Sequence, residues 1–585
     1  MRTMINNISK KITLGTLVVF LGLSSCQDYI EVEPQDKLNI DQVYRDVFDA
    51  DAAIVGLYGK FIGLAEKYVV LNELRADLLS PTINADLTLQ ELNEHSVSQK
   101  NPYANPKDFY ELINNCNDIL KNFLLMRADN RMDATDFNQR YSDVGALRSW
   151  LYLQLGIHYG SVPYITEPIA NINDVKDLAT YPRISFDELL DELIAFTEDL
   201  PYTDLYATGS SLLINVDGFS TEKFFINKGC LLGDIQLWKG NYLEAASHYK
   251  NVMETGTGSG NDSEVFDTYR VKFAEIASNE DLAVGYLRYR EQDATGLVIS
   301  NTKGWGSIFA READVLWNTE WVWSIPYSFV FSPKYPFVDL FANDYLIKPS
   351  QEAISLWDNE KQNNGIPYDA RGQKFSYFMD GENPVVKKYL YNYIDPVTNF
   401  STNTISSNKT GRWMLYRAAK LHLRFAEAAN RDGQHRVADA LLNFGLQREY
   451  TVPGETDVTN IEQTHLPFPY NFDARQGDFP YFRSDWHRNG GIRGRAYVQR
   501  AEVVGDSLIS IEDNLIKESA LELAFEGNRW GDLVRVALRR NDPAFLADKI
   551  RDKLAKEGNA NAEAVHSRLL NTDNWYLPFT WKEDE

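Results

Sequence analysis

Basic residues are scarce in this 585-residue chain, where 59 Lys and Arg stand against 83 Asp and Glu, a formal charge of −24. That balance excludes nucleic acid as a partner, because phosphate contacts require clustered Lys and Arg. An anionic polymer is repelled at long range unless a local basic pocket receives it. Cysteine is scarcer still, with Cys26, Cys116 and Cys230 in the whole chain. Cys116 and Cys230 have neither a second cysteine nor a histidine at ligand spacing, so both read as buried small hydrophobes rather than a disulfide or a metal site. The chain has no His-Glu-x-x-His and no Gly-x-Ser-x-Gly. Gly256-Thr257-Gly258-Ser259-Gly260 lacks the last glycine and the strand-to-helix setting of a nucleotide loop. Gly260-Asn261-Asp262-Ser263-Glu264 fits no calcium loop. No cofactor, metal or catalytic residue is expected. A pair of acids spaced for glycoside hydrolysis would carry no weight, since among 83 acids some pair always meets the required ~5 Å.

Long apolar runs are missing too. The stretch from Ile12 to Leu23 is too short to span a bilayer, which takes about 20 residues. It follows Lys10 and Lys11 and ends in Leu23-Ser24-Ser25-Cys26, the pattern of a bacterial lipoprotein signal over residues 1–25. Cleavage before Cys26 predicts an acylated N-terminus that tethers residues 26–585 to a membrane surface. It also removes Arg2, Lys10 and Lys11 and no acid, taking the formal charge to −27. Asp28 and Glu31, close behind the cysteine, resemble the acidic surface-export signal of Bacteroidetes lipoproteins.

Helical signals dominate the rest of the chain. Lys223 to Thr255 carries Gly233 on one helix, Gly240 at a turn, and Ala245 and Tyr249 on a second helix, the spacing of one tetratricopeptide-type hairpin. A second copy stands at Ala426, Gly433, Ala438 and Leu442, too far away in sequence for a simple tandem solenoid. Further helices are predicted from Val144 to Tyr159, stopped by Gly160, and from a capping box at Ser185 to Glu188 up to Leu200. Another runs from Ile511 to Ala537, bent or divided at Gly527. Size alone suggests three or four domains, an expectation that a helical array relaxes because each unit packs on its neighbours. The predicted fold is mainly α, with tetratricopeptide-like hairpins, a few short strands and two long irregular insertions at about 256–410 and 454–495. Glu320 to Ile325 alternates as a short strand within the first insertion. Long irregular segments on a rigid frame are where binding function concentrates.

Four stretches together resemble the SusD/RagB family of Bacteroidetes outer-membrane lipoproteins. They are Ser25-Cys26-Gln27-Asp28-Tyr29 with Val32-Glu33-Pro34; Leu147 to Leu155 leading into His158-Tyr159-Gly160-Ser161-Val162-Pro163; Arg417-Ala418-Ala419 through Phe425-Ala426-Glu427-Ala428; and Glu518 to Arg535 around Glu526-Gly527-Asn528-Arg529-Trp530-Gly531-Asp532. The family's usual Arg before the last signature is absent at Glu518-Ser519-Ala520, and its Asn-, Pro- and Gln-rich tail is missing. The resemblance implies a non-enzymatic lid on a SusC-type TonB-dependent outer-membrane barrel, facing the cell exterior. Its cargo would be an oligosaccharide, with peptide as the RagB-type alternative and a glycoside hydrolase as a weaker one.

Sugar rings pack their C–H faces on aromatic faces, and their hydroxyls need donors and acceptors nearby. Trp305, between Gly304 and Gly306, is the leading contact. Trp321 and Trp323 share one face of the predicted strand and either meet cargo or pack the strand on the helices. The family's early loop maps to Arg75, Asp77, Asn84, Asp86 and Tyr103; Arg75 and Asp77 could grip vicinal hydroxyls or form a structural pair. Arg371, in Asp369-Ala370-Arg371, resembles a recurrent Asp-x-Arg of the family and reads foremost as half of an internal ion pair. Trp486, in the tip from Asp485 to Gly491, either meets cargo or faces the barrel. Trp150, Trp238 and Trp530 belong to helical core faces, and Glu526, Arg529 and Asp532 supply internal hydrogen bonds.

Overall fold

The computed structural model describes residues 43–169, 181–207, 209–216, 219–253, 308–309, 320–328, 332–390, 410–450, 464–472 and 491–579. Helix α1 (Val47–Phe61) starts where the Asp46 side chain accepts from the backbone N–H groups of Phe48 and Asp49. Helices α2 (Lys107–Ala128) and α3 (Ala134–Tyr159) form an antiparallel pair. Helix α3 begins at Ala134 rather than at the predicted Val144 because Asp133 caps it, accepting from Asp136 N; it ends at Gly160, with φ of 70°. The capping box of Ser185 and Glu188 opens α4 (Phe186–Glu198) as the sequence implies.

The first predicted hairpin is present as α5 (Lys228–Lys239) and α6 (Tyr242–Met253). A Cβ at Gly233 would stand 2.3 Å from the Tyr249 ring, so only glycine permits this approach. Gly240, at φ 93°, supplies the left-handed turn between the two helices. The second hairpin is α7 (Ala418–Arg431) and α8 (His435–Leu442), turned at Gly433 with φ of 79°. Although the hairpins are far apart in sequence, α6 packs directly on α7. The succession α2, α3, α4, α5, α6, α7, α8 is therefore one continuous stack in space, and the insertion after α6 loops out of it. The predicted C-terminal helix is two, α9 (Ser507–Glu522) and α10 (Arg529–Arg540), separated by a turn with Phe525 at φ 72° and Gly527 at φ 82°. Helices α11 (Pro543–Lys556) and α12 (Ala562–Leu569) follow.

Short strands bind the insertion to this frame. Strand β1 (Leu79–Pro81), in the early loop, pairs antiparallel with β3 (Ile347–Pro349). Strand β2 (Trp321–Tyr327) pairs with β6 (Gly411–Arg417), aligning Tyr327 with Gly411 and Trp321 with Arg417. Strands β4 (Tyr377–Asp380) and β5 (Asn383–Val386) form a hairpin.

Beneath these strands lies a buried ionic lattice. Arg371 bonds Asp369, Glu518 and Glu522 at 2.5–2.8 Å; Arg417 bonds Glu320, Glu522 and Glu526 at 2.7–2.8 Å; Arg495 reaches Glu320 and Glu522 at 2.9 and 2.7 Å. Buried charges persist only when paired and hydrogen-bonded. Burial would raise the Glu522 carboxyl, but Arg495, Arg417 and Arg371 hold it well below the ordinary carboxylate range. The lattice joins residues from both insertions to α9, which fixes the insertions' roots on the helical stack.

Candidate ligand-binding surface

The predicted contact residues divide into three groups. Cys26, Trp305 and Trp486 lie outside the described residues. Arg75, Asp77, Trp321, Trp323 and Arg371 are at most 3% exposed and have internal partners, so in this conformation they offer no surface to a ligand. Arg75 and Asp77 do not pair with each other, which corrects the structural-pair reading of that motif. The Arg75 guanidinium lies 4.1 Å over the Trp530 ring, its Nη2 donating to the Trp575 carbonyl and its Nη1 standing 3.2 Å from His158 Nδ1. Asp77 accepts two hydrogen bonds from Arg529, at 2.6 and 2.7 Å. Burial alone would raise the Asp77 carboxyl, and Arg529 instead holds it below its usual range.

The two strand tryptophans pack the strand on the helices. Trp321 Nε1 donates to the Ile308 carbonyl at 2.8 Å, and Arg412 lies 3.4 Å over its ring. Trp323 stacks on Phe61 of α1, ring centroids 5.7 Å apart, and donates to the Phe224 carbonyl. Arg371 sits in the ionic lattice, bonded to Asp369, Glu518 and Glu522. Tyr103 alone among the described candidates is half-buried, and its hydroxyl donates to Glu66 at 2.8 Å.

The early loop and the middle insertion, singled out separately in the sequence, meet on one surface. The junction rests on three backbone carbonyls: Thr82 N donates to Leu346 O at 2.9 Å, Thr82 Oγ1 donates to Tyr345 O, and Asn84 Nδ2 donates to Asp344 O at 3.0 Å. Tyr345, at φ 47°, donates its hydroxyl to Pro384 O in the β4–β5 hairpin. This pinning presents Asn84, Asp86 and Asp344 to solvent and leaves Ile83 99% exposed. Amide, carboxylate, a half-buried phenol and an apolar side chain thus share one rigid edge. Asp86 is also occupied locally, accepting from Leu89 N to cap the helix Leu87–Asn93.

A second opening lies at the root of the first insertion. A cavity of about 500 Å³ lies where α5, α6, the 203–205 turn and β2 converge, within the usual range for small-molecule sites. Asp204, Lys223, Asn227, His248 and Asn251 supply donors and acceptors, and Leu232, Val252 and Val322 form apolar wall. Burial lowers the His248 pKa, so its imidazole is neutral at pH 7. Hydroxyl-rich ligands suit this mixture. Tyr345 and the cavity residues escaped the sequence reading. Asn227 is spelled as a helix cap, accepting from Cys230 N at 2.9 Å, and the cavity forms only when three distant segments converge.

Among the described residues no cluster of three or more His, Cys, Asp or Glu is placed to hold a metal ion, and no helix is long and apolar enough to cross a membrane. No protein-family model and no curated protein matches the chain. Solved structures do resemble it. A SusD-like carbohydrate binding protein from Bacteroides fragilis superposes with a TM-score of 0.54 at 13% identity, covering 85% of this chain and 88% of that one. SusD superfamily proteins from Bacteroides thetaiotaomicron and Bacteroides vulgatus each superpose with a TM-score of 0.52, at 18% and 15% identity. The first covers 91% of this chain and 98% of its own, the second 88% and 93%. The helical stack, its interrupting insertions and these superpositions over nearly full lengths together establish that the chain has the SusD-superfamily fold.

Proposed function

We propose that the protein is a non-catalytic, lipid-anchored oligosaccharide-binding subunit at the cell surface, with residues 26–585 forming the lid of a SusC-type TonB-dependent outer-membrane barrel. The observation that carries this reading is the shared fold with a SusD-like carbohydrate binding protein over 85% of the chain. The lipoprotein signal ending at Cys26 supplies the anchor. The surface where Asn84 and Asp344 meet, and the cavity at the insertion root, supply polar groups beside apolar wall; Trp305 and Trp486 remain the sequence's candidates for ring contacts. The non-catalytic part is supported by the acids of the C-terminal signature. Glu526 is held by Lys388 and Arg417, and Asp532 by Arg424 and Arg535, in buried ion pairs rather than across an open cleft.

Calorimetric titration of the mature chain against panels of oligosaccharides and peptides tests the cargo. Saccharide binding without product formation is expected, weakened at least tenfold by Trp305→Ala. Binding confined to peptides moves the protein to the RagB-type reading, and turnover of a bound glycan overturns the non-catalytic one. Membrane fractionation of Cys26→Ala tests the anchor: the variant should leave the outer-membrane fraction, and its retention there refutes lipidation at Cys26.

A further inference from the structure

A groove of about 690 Å³ runs along the helical stack between α2, α3 and α4. At its inner wall is Arg148, 5% exposed. The guanidinium lies 4.2 Å over the Phe196 ring, and its Nη1 donates to Asn117 Oδ1 at 2.8 Å and more weakly to Thr166 O at 3.4 Å. Its Nε and Nη2 have no hydrogen-bond partner, and no carboxylate lies within ion-pair distance, among the described residues. That sets it apart from six other buried arginines, though not from Arg75, which also holds no carboxylate. Arg140, Arg371, Arg417, Arg495, Arg529 and Arg535 each hold a carboxylate at 3.0 Å or less. A guanidinium that lines the groove, largely buried and without an anion, keeps a two-nitrogen edge of the shape that grips a carboxylate.

The rest of the wall narrows the ligand. Tyr141 and Tyr164 are half-buried rings, and Tyr141 stacks on Phe137 with centroids 5.0 Å apart, which fixes its plane. The exposed rim carries Lys121 but also Glu167, Glu192 and Asp199. Three rim carboxylates repel a densely charged polyanion or an acidic peptide, yet they accept readily from hydroxyls. We propose that this groove binds an acidic saccharide, one sugar carboxylate seated on the Nε–Nη2 edge of Arg148, its hydroxyls donating to Glu192 and Asp199, and its ring faces against the tyrosines. The assignment shares with the proposed function the premise of a saccharide cargo, but it concerns a second site outside the insertions.

The test is calorimetry on the mature chain with three probes: uronic-acid disaccharides, their neutral disaccharide counterparts, and a glutamyl dipeptide. Wild type should bind a uronic-acid disaccharide at least tenfold more tightly than its neutral counterpart or the dipeptide. Arg148→Gln should abolish that preference. Because Arg148 also packs on Phe196, a second variant guards against misfolding: Ala195→Trp, at an exposed position on the groove wall, should block binding at least tenfold while leaving the melting temperature unchanged. Uronate affinity unaltered in Ala195→Trp, or a tighter dipeptide, overturns the groove assignment. Neutral saccharides that bind in a Trp305-dependent way, with no uronate binding, also overturn it and leave the proposed function standing; binding of no saccharide at all removes both.

Discussion

Glu73 sets burial against hydrogen bonding, and its replacement tells which prevails. The side chain is wholly buried and caps the turn leading into α10. Its Oε1 accepts from the N–H groups of Gly527, Asn528 and Arg529 at 2.7, 2.8 and 3.4 Å, and its Oε2 from Phe525 N at 3.2 Å. Burial pushes its pKa up from 4.5 to about 7, against the pull of those four donors. A carboxyl whose folded pKa exceeds its unfolded one contributes stability that is complete below the unfolded pKa. That contribution is lost as pH rises through the folded pKa. The window is therefore pH 4.5 to 7, and two and a half pKa units amount to about 3 kcal/mol. Glu73→Gln keeps the Oε1 acceptor but turns an amide donor toward Phe525 N–H, costing about 1–3 kcal/mol. At pH 5 the variant should be less stable than wild type by that amount; at pH 8 relief of the buried charge offsets the loss and the two should converge or cross. Urea denaturation followed by tryptophan fluorescence at both pH values reads the difference. An equal deficit at pH 5 and 8, or a larger one at pH 8, would refute the reasoning by showing that the four N–H groups keep the carboxylate charged throughout.

Other expectations come from packing. Gly233→Ala should destabilise by about 1–3 kcal/mol despite better helix propensity, because its Cβ would stand 2.3 Å from Tyr249; Gly56→Ala, where a Cβ meets nothing within 4 Å, should stabilise by up to about 1 kcal/mol. Chemical denaturation of both variants checks the pair, and a stabilised Gly233→Ala would contradict the close-approach account. Arg371→Met should cost about 3–5 kcal/mol in the same assay, because it strands Asp369 without a cation and takes one partner from Glu518 and Glu522. Trp323→Ala should cost about 3–5 kcal/mol while leaving cargo affinity unchanged, since its ring lies on Phe61 in the core; a selective loss of affinity would return Trp323 to the binding surface.

The frame was legible because its signals are local. A glycine at a required left-handed turn, as at Gly240, a capping box at Ser185 and Glu188, and apolar residues at the helical period each act within a few residues, and each is found where the sequence put it. Even the division of the C-terminal helix at Gly527 was visible, although Phe525 in a left-handed conformation beside it was not. The direct packing of α6 on α7 could not be read, because it depends on a pairing that spans the whole first insertion. Charge misled for a related reason. Arg75 and Asp77 are two residues apart and suggest a pair, yet Asp77 finds Arg529 more than four hundred residues away, and Arg75 finds a carbonyl and a ring. In a core, the partner is whichever group the fold desolvates alongside. The same argument separates Arg371 from Arg148. Both are buried arginines, and only Arg371 has an acid close in sequence, Asp369, to mark it as paired. One is surrounded by Asp369, Glu518 and Glu522, and the other faces a groove with a free donor edge. A buried cation that the fold has not already neutralised is the kind of residue through which a rigid helical frame can acquire a ligand of its own.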